Sequence, residues 1–442
     1  MICSSVMALS AFLLVQVPPD GETVAETSAA EAGSSETPET AVSPKEVPTS
    51  TANDDHGDVV DVAAHLQVRP RGEKSAAGNF LGRALPSDRN QQISQRTRMV
   101  VDVAGPGVAG YGASARMSLQ DVRVWGSEES VAGDFSADNV DFHEAWGQLG
   151  DVTRYVRVGR QEVALDEERL IGVLDYAQQG RAFDGLRLGY QIEDVDLTVF
   201  ATRLQDGGNH DMFIAHGSKQ LPGGISLAVP LIIETDAFVA EGEKGGFDGY
   251  RWTGGVYAKN DEHPLNWRAE AYLQQGYKSE ANLGILAYMV GLRVGYKVDE
   301  KLAPALWFDY LSGDGDRDDD TLGAFSTLYP TNHKFYGLAD HFLDIPTHTN
   351  GGGLVDVALK NTGKVGPGVL AVAVHEFMLA QQDVLGRSGA IGAEIDVLYT
   401  VALTETSYVR GGVTGFFDQG DFHIAGARTF HDWSYLELNL QF

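Results

Sequence analysis

Among the residues of this 442-residue chain, the arginines have the types and spacing best suited to chemistry. Arg69 and Arg71 share one phase of an alternating segment, and Arg96 and Arg98 share another. Arg181 and Arg187 fall in phase with Gly185, while Arg116, Arg157, Arg268 and Arg293 each lie on the polar side of their own segment. A guanidinium is a planar fork of donors that meets a carboxylate with two parallel hydrogen bonds. Gathered around a bore, such groups would bind anionic solutes, and rings of charge are how pores select ions. The same arginines could instead brace a wall against Glu270, Asp309, Asp356, Glu394 and Asp396. Both roles are open at this point.

Other chemistries find little support. The sole cysteine is Cys3, so neither a disulfide framework nor thiolate chemistry is expected. The acidic run Ser312–Thr321 spaces Asp314, Asp316 and Asp318 as a calcium loop begins. Its sixth position is Asp319 and its twelfth Phe325, which excludes an EF-hand. A solvated loop is the expectation there, and no metal or cofactor is expected anywhere. His333, His341 and His348 lack ligand spacing and read as polar loop surface. No Gly-x-Ser-x-Gly motif offers a serine nucleophile. His375 shares its phase with Ala371 and Ala373 and would face lipid, without a serine at credible spacing, so a barrel lipase is a poor alternative.

The elements that must carry these arginines read as β-strands. About eighteen candidate strands follow Val62, and sixteen is compatible with the uncertainty of strand boundaries. Tyr111, Ala113, Ala115, Met117 and Leu119 share a face opposite Ser114, Arg116, Ser118 and Gln120. Val195, Leu197, Val199 and Ala201 oppose Asp194, Asp196, Thr198 and Thr202; Trp267, Ala269, Ala271 and Leu273 oppose Arg268, Glu270, Tyr272 and Gln274. Charge repeated on one side of strand after strand, with apolar residues on the other, predicts a lipid-facing band. Connectors alternate too. Short joints at Gly150–Asp151, Ile192–Asp194 and Thr404–Glu405 alternate with long ones at Ser75–Gln91, Trp125–Asp138, Ala164–Gly180, Gly313–Asn350 and Asp418–Asp432. Short periplasmic turns and long outer loops are the outer-membrane pattern.

The chain closes on a strand whose phase is Leu436, Leu438, Leu440 and Phe442, against Tyr435, Glu437, Asn439 and Gln441. At the other end, Val6–Val15 reads as the apolar core of a leader within residues 1–25, although no Lys or Arg precedes Lys45. Residues 26–60, rich in Glu, Thr, Ser, Ala and Pro, read as a disordered acidic segment. Residues 61–442 then form a single barrel domain. The formal charge is −29, of which residues 1–60 carry −9, leaving −20 for the barrel. So acidic a body excludes a nucleic-acid footprint. No run of eighteen apolar residues exists, so a membrane protein of this sequence must be a closed barrel. A secreted β-rich carbohydrate-binding or structural protein is the alternative of another class.

Several stretches resemble the alginate export family of outer-membrane barrels. They are Tyr155–Gln161 (YVRVGRQ), Glu168–Gly172 (ERLIG) and Arg181–Tyr190 (RAFDGLRLGY); then Asp309–Asp314 (DYLSGD), Gly323–Tyr329 (GAFSTLY) and Gly337–Asp340 (GLAD); and Asp121–Gly126 (DVRVWG) after Arg96–Arg98. The resemblance implies an eighteen-stranded barrel that passes a polyanionic polysaccharide, or another anionic solute, through an arginine-rich lumen. A general small-solute porin of the same fold is the near alternative. It also implies recognition of the terminal Phe442 by the barrel assembly machinery. Arg157, Arg160, Arg181, Asp184 and Arg187 occupy the matching motif. Arg160 keeps phase with Val156 and Val158, which predicts a place beyond the lipid band, near a loop.

Overall fold

The structure is a computed structural model that describes residues 60–75, 91–108, 111–126, 140–205, 210–235, 249–262, 264–278, 282–381, 389–419 and 430–442. The predicted leader and nearly all of the acidic segment, residues 1–59, lie outside the described residues, as do parts of several long connectors. Among the described residues, eighteen strands run from Asp61–Ser75 to Phe430–Gln441, each antiparallel to the next. The last pairs with the first, Arg71 opposite Glu437 and Val68 opposite Leu440, so the sheet closes on itself. A two-residue piece, Thr321–Leu322, lies parallel beside Leu283–Tyr296 and is not part of the ring. No described helix is long and apolar enough to cross a membrane. Closure leaves no strand edge unpaired, which is what lipid demands of a sheet.

The burial pattern is inverted relative to a water-soluble protein. Leu292 is 45% exposed, Leu306 57%, Leu359 57% and Leu436 63%. On the opposite side of the same wall Arg268, Glu270, Arg293, Asp309 and Glu437 are all nearly inaccessible. A two-layer sandwich would bury the leucines and expose the arginines. Here the apolar side meets acyl chains and the charged side faces the bore. Exposed aromatics mark both rims of this wall: Tyr190, Tyr296 and Phe442 near the short turns, and Trp125, Tyr250, Tyr277 and Phe430 near the long loops.

The short turns form for local reasons. At residues 151–154 the Asp151 carboxylate accepts from the backbone N–H of Thr153 (2.8 Å) and of Arg154 (3.0 Å). Asp299 does the same for Lys301 and Leu302. Glu193 takes a left-handed conformation (φ 54°) so that one tight turn joins Ile192 to Val195. These turns hold each hairpin in register and place alternate residues reliably on the two faces.

The lipid-facing assignment predicts the cost of a charge there. Leu292→Arg should destabilise the barrel by about 2–4 kcal/mol, the penalty for arginine near the bilayer midplane. Urea titration of the protein folded into lipid vesicles measures it. An unchanged midpoint would contradict the assignment.

Candidate functional site

Two long connectors turn into the bore instead of rising from it. Residues 162–182 and 312–353 carry a buried apolar cluster that includes Val163, Leu165, Ile171, Phe325, Phe335 and Phe342. It packs on lumen-facing wall residues such as Phe200, Ile214, Met289, Trp307 and Phe377. That part of the bore wall is therefore covered by packed apolar side chains and is dry.

The connectors are tied to each other. Tyr329 N–H donates to Leu170 O (2.9 Å), Gly172 N–H to Tyr329 O (2.8 Å) and Thr331 N–H to Glu168 O (3.0 Å). The rings of Tyr176 and His333 stack at 3.3 Å. His333 is thus buried between the loops, not polar surface as its spacing suggested. Arg181 donates to the carbonyls of Gly172, Tyr329 and Pro330, so it fastens the loops together and does not belong to a strand.

Each connector is also tied to the wall through charge. Arg169 is fully buried; its Nη2 sits 2.9 Å from Glu270 and 3.0 Å from Asp309, and its Nη1 donates to the Tyr336 hydroxyl at 2.8 Å. Its guanidinium lies 3.6 Å from the centre of the Phe335 ring. Glu167 accepts from Arg268 (2.6 Å) and from the Tyr257 hydroxyl (2.9 Å). Burial alone would raise the Glu167 carboxyl, but Arg268, Lys334 and Lys259 outweigh it and hold it well below the usual range. Asp175 meets Arg96 at 2.7 Å, while Arg69 donates to the Asp175 and Ala177 carbonyls. Burial again opposes the charge, and Arg96, Arg69 and Arg98 again prevail, leaving the Asp175 carboxyl strongly acidic. Arg71 lies 4.4 Å over the Tyr176 ring and 3.3 Å from Glu437. Arg169, Glu167, Asp175 and Tyr176 carry this architecture, yet nothing in their spacing marks a connector that docks inward. Charges buried in a loop become legible only once their wall partners are known.

Between these loops and the short-turn rim lies a cavity of about 740 Å³. Its lining includes Arg69, Arg96, Arg98, Arg116 and Arg187, together with Phe442 and Thr406 near the rim. Most of these cations are occupied. Arg98 donates to Gln120 and lies 3.6 Å from Glu162; Arg116 is forked onto Asp102 (2.7 and 3.0 Å) with Glu144 at 3.4 Å. Arg293, on the bore side of the wall but outside this lining, leans over Trp307 at 5.5 Å. Two bore-side arginines differ, and of these Arg187 lines the cavity. Arg157 and Arg187 stand directly opposite each other on the adjacent strands Arg154–Gln161 and Phe183–Ile192. Arg157 donates to Gln148 (2.9 Å) and lies 3.9 Å over the Trp146 ring. Among the described residues, no carboxylate pairs with either. Two like charges facing each other across a ladder repel unless an anion joins them.

Three expectations are corrected. Arg160 and Asp184 pair at 2.8 Å on the outer face, with Asp184 two-thirds exposed, because their phase follows Val158 and Leu186 and not Arg157 and Arg187. They do not line the bore. His375 faces inward, 2.9 Å from Asp356, since Ala371, His375 and Phe377 are the buried phase of their strand. The acidic run is solvated from Gly315 onward as expected, but Asp314 is buried at its base. Among the described residues no group of three or more His, Cys, Asp or Glu is placed to hold a metal.

A closed antiparallel barrel with inward-docked loops above a charged vestibule is the architecture of a passive bacterial outer-membrane channel. A family model described as alginate export matches residues 60–342, and the chain belongs to that family. The fold is also that of solved Occ proteins. Pseudomonas aeruginosa OccK5 (OpdH) superposes with a TM-score of 0.57 at 11% identity, over 86% of this chain and 98% of that one. P. aeruginosa OccK2 (OpdF), solved in complex with glucuronate, gives 0.54 at 13% identity, over 86% and 96%. Acinetobacter baumannii OccAB4 gives 0.55 at 10%, over 86% and 98%. No curated protein matches the sequence.

The ion network predicts how the loops respond to mutation and pH. Arg169→Ala leaves Asp309 buried without its cation and Glu270 with Arg268 alone at 3.4 Å, a loss of about 3–5 kcal/mol in loop docking. The wall keeps its own hydrogen bonds, so the barrel should persist with higher, noisier single-channel conductance. Unaltered conductance would contradict the anchoring role. Because the Asp175 carboxyl is depressed in the folded state, its contribution is complete above the unfolded value near 3.9 and fades only as pH falls through the lower, folded one. Conductance should therefore be insensitive to this latch between pH 7 and 5, and loosening should set in as pH falls below about 4.

Proposed function

We propose that this channel carries carboxylate-bearing solutes across the outer membrane, with Arg157 and Arg187 as the contact that draws them through the vestibule. The observation that carries this reading is the facing pair itself. It lies on the bore side without a carboxylate partner, while Arg69, Arg71, Arg96, Arg98, Arg116 and Arg268 already hold protein groups. Braced arginines still contribute positive potential, but a pair with no carboxylate in direct contact leaves forked donors for a passing acid. The family supports a uronate polymer as cargo. Glu270 and Asp309, which the sequence offered both as lumenal contacts and as bracing acids, hold Arg169 and are bracing acids in this reading. Barrel lipid and the assembly machinery at Phe442 are the further partners this reading includes.

One observation favours a second reading within the same class. The inward loops pack against the bore wall, which suits single sugar acids better than a polymer.

Planar bilayers separate these readings. Under a salt gradient the wild-type channel should prefer anions, and added oligouronate should block the current. A hydrogen bond to a charged group is worth about 1.5–3 kcal/mol. Arg187→Ala should therefore weaken the block by roughly tenfold or more. Block by monomeric uronate alone would select the second reading; no anion preference and no block by either acid would refute both.

A further inference from the structure

The outer wall carries a feature that transport does not use. Arg160 and Asp184 face each other on adjacent strands at 2.8 Å. The register continues: Gly185 pairs with Thr202, which sets Asp184 beside Arg203, and the Thr202 hydroxyl donates to Asp184 O at 2.8 Å. Arg203 in turn faces Asp211 at 2.9 Å on the next strand. The result is a row of alternating sign, Arg160–Asp184–Arg203–Asp211, across four neighbouring strands. It is confined to them, because the next register partners are Ala145 on one side and Thr235 on the other.

The row lies on the lipid side of the wall. Its phase continues Val158, 61% exposed, and Val199, 44% exposed. It stands at the long-loop end, while a second outward pair, Lys219 and Asp194 at 2.9 Å, marks the short-turn end of the same strands. From Asp211 to Lys219 the wall rises about 20 Å along the barrel axis, taking about 3.3 Å per residue and a tilt of about 40°. An apolar band is about 25 Å tall, so two charged levels about 20 Å apart stand just inside its two margins, within side-chain reach of the headgroups. Four charges at this edge are stable only where polar headgroups begin. At the long-loop end those headgroups belong to the outer leaflet, whose glycolipid carries phosphates bridged by divalent cations.

We propose that this row is a docking site for the phosphorylated headgroup of an outer-leaflet glycolipid. Arg160 and Arg203 stand two strands apart, about 10 Å, and present guanidinium groups to phosphate oxygens. Asp184, two-thirds exposed between them, takes a divalent cation that bridges to the same phosphates. Sign alternation suits this partner better than a purely anionic or purely cationic one, since phosphate and metal alternate in the headgroup layer. The second row member to carry acid, Asp211, is mostly covered and serves to orient Arg203.

The test uses the full chain in detergent, with purified bisphosphorylated lipid A and its dephosphorylated form as probes, read by native mass spectrometry with magnesium or with EDTA. Wild-type protein should retain the phosphorylated lipid at least about tenfold more tightly, and R160Q/R203Q should abolish that difference. D184N should remove only the magnesium-dependent part, and K219Q, at the opposite rim, should bind as wild type. Heat-modifiable gel migration verifies that each variant is a folded barrel. Equal retention of the two lipids, undiminished binding by R160Q/R203Q, or a dimer of the chain that this variant dissociates would each overturn the proposal.

Discussion

A wall immersed in hydrocarbon cannot leave a backbone group unpaired or a charge facing outward at mid-depth, and the rest of this molecule follows from that constraint. Strand must pair with strand until the sheet closes, as Arg71 opposite Glu437 does at the seam. Charge must then go inward. A bore lined by Arg268, Glu270, Arg293 and Asp309 is itself largely enclosed, and enclosed charge is costly unless it is paired. The pairing is what recruits the connectors. Arg268 and Glu270 already meet at 3.4 Å on the wall, and the connectors complete the set: Arg169 joins Glu270 to Asp309, Glu167 adds a second anion to Arg268, and Asp175 meets Arg96 on the far side. Loop insertion is the wall's electrostatics completed by a segment that is not part of the wall.

The strand phases carried most of the fold in plain view. Leucines at 292, 306, 359 and 436 face out, and the arginines at 69, 71, 96, 98, 116, 157, 187, 268 and 293 lie in the phases that face the bore. Arg160 illustrates both the power and the limit of that reading. Its phase placed it outside, yet membership of a motif argued for the bore, and phase was right. A period of two states which face a residue takes and says nothing about where a connector goes. Residues 162–182 and 312–353 have no such period, and their destination depends on partners on other elements, among them ones 25, 55, 79, 101 and 109 positions away. His333 and His375 failed for the same reason: the groups that bury them, Tyr176 and Asp356, lie on other elements.

Pairing cancels charge one for one and leaves the overall acid excess in place, but it decides where that excess is felt. On the bore side acids are held in pairs: Glu437 with Arg71, Asp102 and Glu144 with Arg116, Glu234 with Arg251. What a solute meets is set by what is left over, and the facing pair Arg157 and Arg187 is left over as cation. Net charge describes solubility and long-range field; the local remainder describes selectivity.

The central claim is that the two faces of this wall meet different solvents, and the chain's single native cysteine makes it directly measurable. Spin labels at Leu292→Cys, Leu359→Cys and Arg187→Cys, each in a Cys3→Ser background and a lipid bilayer, report collision with dissolved oxygen or with a water-soluble nickel chelate. The account predicts oxygen-dominated relaxation at the two leucine positions and nickel-dominated relaxation at Arg187. Nickel access at the leucines, or shielding from both reagents there, would contradict it.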